Sequence, residues 1–114
     1  MTKKSMTLAQ LIDQYKEIYV FLNQNWPLDS KMKRVFGKTI KLVEELGEMA
    51  DDILSSMHLQ RKSKVAKFKK ENLEDEYADV LSSLILLGIE LDIDIEKVIK
   101  RKITYTKKRF KMEK

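Results

Sequence analysis

The chain has 114 residues, 43% of them hydrophobic, no cysteine and a net charge of +5. That length supports one domain, residues 1–114, with a modest core, and the missing cysteines exclude both a disulfide frame and thiolate metal ligands. No run approaches the roughly 18 to 20 apolar residues of a membrane helix, and the first five residues lack the hydrophobic stretch of a signal peptide, so a cytoplasmic protein without a membrane partner is expected.

Hydrophobic periodicity predicts an all-α chain of four helices and no strand. Helix one runs from about Thr7 to Asn25, burying Leu8, Ile12, Tyr15, Tyr19 and Leu22. It ends at Trp26-Pro27, because proline disfavours helix in the residue before it. Asp29 or Ser30 caps helix two, which reads through to about His58. At ~1.5 Å per residue that helix is about 43 Å long, against a radius of gyration of ~13 Å for a compact chain of this size, so it projects and needs cover. The stretch 61–70 carries six cations and reads as a flexible loop. Helix three follows from about Asn72 to Leu91, with Asn72 as N-cap and Asp75 in a capping-box position. Asp94, in the turn Asp92-Ile-Asp-Ile, caps helix four, which runs to about Met112.

Both long helices carry acids three residues apart, a spacing that puts them on one face. With Leu42 at zero on a helical wheel, Leu42, Leu46, Met49, Ile53 and Met57 form an apolar stripe, widened by Val43, Ala50 and Leu54, and Lys41, Glu45, Glu48 and Asp52 line its edge. Glu44 and Asp51 point away. In helix three, Glu76 and Asp79 adjoin the run Tyr77 to Ile89, apolar nearly all round as in an interior helix. A buried Asp79 must be paired or hold a metal, and facing helices would bring Glu45, Glu48, Glu76 and Asp79 around hard divalent cations. Glu74, Asp75 and Glu76 are also first-turn acids that a helix dipole favours, so Glu76 draws its ligand role from Asp79. Nine cations lie between 97 and 114 with Glu113 alone against them. Basic clusters around an acidic centre suit a polyanion that arrives with metal ions; nucleic acid is not the expected partner, although such clusters leave a general affinity for it open.

These residues resemble the all-alpha, MazG-like nucleoside triphosphate pyrophosphohydrolases, whose pattern is Glu-Glu-x-x-Glu and then, after a variable gap, Glu-x-x-Asp. Glu44-Glu45-Leu-Gly-Glu48 matches the first part and Glu76-Tyr-Ala-Asp79 the second. The run Asp79 to Ile99 is similar to the family's helix three, its turn and the start of helix four. Lys102, Arg109 and Phe110 match a basic tail in which Thr106 replaces an Asn. The resemblance covers roughly residues 36–110. It implies a four-helix bundle-like fold assembled as a homodimer or dimer of dimers, with magnesium, or manganese in its place, bound by Glu45, Glu48, Glu76 and Asp79. Lys41, Lys102 and Arg109 would contact phosphate. The implied reaction splits a nucleoside triphosphate into monophosphate and pyrophosphate, with bound metal templating the substrate and lowering the pKa of a coordinated water. The general base would be Glu44 or Glu45. A role in clearing nucleotide pools fits that reaction.

Three other readings compete. A phosphoribosyl-ATP pyrophosphohydrolase shares this architecture and bond cleavage. A non-enzymatic basic helical module leaves Asp79 unexplained. A ferritin-like di-iron centre wants Glu-x-x-His pairs, whereas the only histidine, His58, follows Ser55 and reads as a helix-end polar residue. Trp26 and Phe36 are stacking candidates, although a Trp beside a helix break reads as a core anchor. Gly47 and Gly88 inside helices suggest close helix approach, and Gly47 can also keep a path to the metal open.

Overall fold

Thr7 starts the first helix: its hydroxyl accepts from the Gln10 amide while the Gln10 side chain accepts from the Thr7 amide, a reciprocal cap. The computed structural model describes residues 5–112 and, among them, five helices and no strand. They are α1 (Leu8–Asn25), α2 (Lys31–Ser56), α3 (Lys62–Lys67), α4 (Lys70–Glu90) and α5 (Ile95–Arg109). Ser30 caps α2, and Asp29 pairs with Lys33 instead. Asp94 caps α5 as expected, accepting from the Lys97 amide.

Three features depart from expectation. The basic stretch contains α3, which turns the chain back over the end of α2, so 61–70 is not a plain loop. The third long helix, α4, begins at Lys70 rather than Asn72, with no side-chain cap at Lys69, and Asn72 and Asp75 are helical interior. Packing against α2 sustains this helix start, and Glu71 in the first turn complements its dipole. α5 stops at Arg109, short of Met112, where Lys111 turns to a left-handed φ of 54°. His58 ends α2 in the same conformation, φ 58°.

The main packing is α2 against α4, running antiparallel: Arg34 reaches Glu90 near one end while Glu45 meets Glu76 and Asp79 further along. α1 lies along α4 through Tyr15 to Ser82 and Tyr19 to Glu90. α5 meets α1 and α4 but not α2. Gly88 allows the α4–α5 turn to close, since a Cβ there would stand 3.1 Å from Ile95 Cδ1. Gly47 has nothing within 4 Å, so its expected close approach is absent within one chain.

The face of α2 turned to α4 is more polar than its wheel suggested. Lys38, Glu45, Asp52 and Ser55 line it with Leu42 and Met49, whereas Leu46, Ile53 and Met57 of the anticipated core stripe are exposed. Trp26 is 68% exposed and anchors no core. Ile12 and Ile85, at 8% and 6% exposure, are the only buried apolar side chains among the described residues. The radius of gyration, 17.6 Å, exceeds the ~13 Å of a compact chain this long. α2 leaves Met32, Phe36, Ile40 and Val43 open, and α4 leaves Tyr77, Leu81 and Leu84 open.

Glu90, at 2% exposure, ties three helices together. Its carboxylate accepts from Tyr19 Oη at 2.9 Å, Arg34 Nε at 2.9 Å and Lys38 Nζ at 3.3 Å, and Lys38 also lies over the Tyr19 ring. Burial pushes the Glu90 pKa up, but these donors outweigh it and hold it below its ordinary 4.5. A depressed carboxylate stabilises the fold above the unfolded pKa and ceases to as pH falls through the folded one. Glu90→Gln should therefore cost about 1.5 to 3 kcal/mol at neutral pH, with the gap to wild type closing as pH falls below 4.5. Thermal melts across that range test it, and a gap independent of pH would contradict it.

Candidate metal centre

Two turns along α2 from Lys38, the same seam carries acids without such partners. Glu45 is 7% exposed. Its Oε1 pairs with Lys41 Nζ at 3.1 Å, while its Oε2 is buried with no hydrogen-bond partner. Across the seam Glu76 is half-buried, and its Oε2 is likewise buried and unpartnered. Asp79, one turn on, completes a trio in which one oxygen from each residue lies within 4.8 Å of the others.

A buried carboxylate oxygen without a partner is costly, so two of them side by side mark negative charge that the described residues balance only in part, through Lys41. Burial first, then the negative charges of Glu48, Glu45 and Asp79, push the Glu76 pKa from 4.5 to about 7. A divalent cation fits the donor set, since hard cations prefer carboxylate oxygens. Oxygens on one magnesium stand at most about 4.2 Å apart, twice a ~2.1 Å bond. Adjacent oxygens on that ion stand about 3.0 Å apart, so side-chain movement of about an ångström would close the trio around it.

The four expected ligands are thus brought together unevenly. Glu45, Glu76 and Asp79 converge, while Glu48 is exposed and stands against Glu76 outside the trio. Asp79 is exposed rather than buried, because the open face of α4 leaves its side of the helix uncovered; the buried acid is Glu45, whose edge of α2 turns into the seam. Glu44 is exposed and pairs with Lys41 at 3.3 Å, so Lys41 bridges Glu44 and Glu45. Lys102 and Arg109 are exposed on α5, stacked over Tyr105 and Phe110, and α5 does not touch α2. Glu90 was missed by sequence reasoning. The available signal was an acid closing the apolar run Leu84 to Ile89, with Arg34 and Lys38 one helical turn apart in the preceding long helix.

The folded protein holds a proton on Glu76 at pH values where the unfolded chain has lost it. Its ionisation penalty is absent below pH 4.5, grows as pH rises and is complete above about 7. Glu76→Gln should therefore melt above metal-free wild type by a margin that widens from about pH 5 to about pH 8. Magnesium should raise the wild-type melting temperature more at the upper end of that range and the variant's little at either end. Equal magnesium shifts in both proteins would remove Glu76 from the site.

No family model matches this chain, and no curated protein or solved structure does either, so geometry and chemistry carry the functional reading.

Proposed function

We propose that this chain is a magnesium-dependent nucleoside triphosphate pyrophosphohydrolase of the MazG-like type, acting as a homo-oligomer. One observation supports the cation above all: the unpartnered buried oxygens of Glu45 and Glu76, converging with Asp79. When bound, magnesium offsets triphosphate charge and lowers the pKa of coordinated water.

Glu45, Glu76 and Asp79 would hold that ion, and Glu48, beside Glu76, would add a fourth carboxylate. Water attacks the α-phosphorus, the bond to the α,β-bridging oxygen breaks, and pyrophosphate leaves with the electron pair. The proton lost by the water goes to the Glu44 and Glu45 pair, held as one cluster by Lys41. Lys41, Lys102 and Arg109 supply positive charge for the substrate.

The open apolar face supports the homo-oligomer. The described residues bury only Ile12 and Ile85 among apolar side chains and leave Phe36, Ile40, Val43, Leu81 and Leu84 in water, a patch that suits a partner. A second copy brings the same strip and covers both at once, as two-fold interfaces do.

Incubation with a nucleoside triphosphate panel and magnesium, followed by product separation, tests the reaction. Monophosphate and pyrophosphate are expected, with EDTA abolishing turnover; diphosphate and orthophosphate, or no hydrolysis of any nucleotide, would contradict it. Light scattering at micromolar concentration should give a dimer or tetramer mass, and a monomer would refute the assembly.

A further inference from the structure

One to two helical turns beyond the acidic trio the seam opens into a pocket of about 240 Å³ under α3. Asp52 and Ser55 of α2, Lys64, Lys67 and Phe68 around α3, and Asn72 of α4 line it. Register sets it along the same seam as the metal centre: Asp52 follows Glu45 by seven residues and Asn72 precedes Glu76 by four, each on the same helix face. The offset is therefore about 6 Å along α4 and about 10 Å along α2, at ~1.5 Å per residue.

The charges in this pocket argue against a phosphate site. Asp51, also at its edge, accepts from Lys64 Nζ at 3.0 Å and Gln60 Nε2 at 2.9 Å, so Lys64 is neutralised. Asp52 then offsets Lys67, which has no ion pair among the described residues. What is left is a neutral surface with one half-buried aromatic ring, an amide, a carboxylate and the hydroxyl of Ser55, itself 6% exposed. A flat group with donors and acceptors on its edge suits it, as bases stack on rings and are read by side-chain hydrogen bonds. The pocket lies just below the size of a drug-sized ligand site.

We propose that this pocket under α3 takes the nucleoside end of the substrate, with the base against Phe68 and its edge read by Asn72, while Asp52 and Ser55 meet the sugar hydroxyls. The proposal rests on the trio being a site for nucleotide phosphates. It also sets the direction of the bound chain. The α-phosphate sits on the Glu76 side of the trio, and the terminal phosphates extend along α2 toward Lys41, which already bridges Glu44 and Glu45.

Calorimetric titration with two magnesium-loaded probes tests it: inorganic tripolyphosphate, which has no nucleoside, and the α,β-methylene analogues of four nucleoside triphosphates. Wild type should bind both kinds. Phe68→Ala should weaken nucleotide binding about tenfold or more, the scale of losing a stacked base, and leave tripolyphosphate binding unchanged, which also reports that the variant is folded. Asn72→Asp, exchanging an amide donor for a carboxylate, should reorder the preference among bases, an effect that loss of packing alone does not produce. If the alanine variant fails to fold, Phe68→Leu repeats the test by keeping apolar bulk without the ring. Unchanged nucleotide affinity and base order, or equal weakening of tripolyphosphate, would overturn the proposal alone. Wild-type protein that takes neither probe would overturn the phosphate reading and this proposal together.

Discussion

A carboxylate removed from water between two helices must meet a cation, a donor or a proton, and the α2–α4 seam poses that requirement at two places. At Glu90 the chain answers it with Tyr19, Arg34 and Lys38, drawing three helices to one point. At Glu45 and Glu76 it does not: Lys41 reaches one oxygen, two others stay unpartnered, and Glu76 holds a proton up to about pH 7. The same helix pair thus carries a closed charge network and an open one. The first fixes how α2 lies on α4, and that placement brings acids from the two helices to within bonding reach of one ion.

The open network borders two other incomplete surfaces. On one side the apolar faces of α2 and α4 lie uncovered, and Asp79 is exposed beside them. Covering those faces would also dry the edge of the acidic trio, strengthening its hold on a cation by lowering the local dielectric. On another side α3 folds over the end of the seam and bounds the pocket there. The uncovered apolar faces, the acidic trio and the pocket under α3 thus lie along one groove.

Much of this was legible in the residues. Helical periodicity, Pro27 and the caps at Ser30 and Asp94 placed the long helices to within about a turn at each end, since local chemistry decides those ends. The Glu-x-x-Glu and Glu-x-x-Asp spacings pointed to the acids that converge, because i and i+3 share a face whatever the tertiary structure. Burial was harder to read. A wheel orders residues around an axis but does not say which neighbour lies where, so Glu45 was placed at an edge and Asp79 inside, the reverse of what the packing does. α3 escaped notice because six residues of Lys, Ser, Val and Ala carry little helical signal of their own, and its position comes from contact with α2. Glu90 escaped because its partners come from residues far away in sequence.

The central claim is that Glu45, Glu76 and Asp79 hold one divalent cation. Crystals grown with manganese and measured at its absorption edge test this directly, because the anomalous signal locates the metal without reference to activity. The account predicts an anomalous peak between these three carboxylates, at about 2.0 to 2.3 Å from an oxygen of each. A peak elsewhere, or crystals that hold manganese with none at this seam, would contradict it.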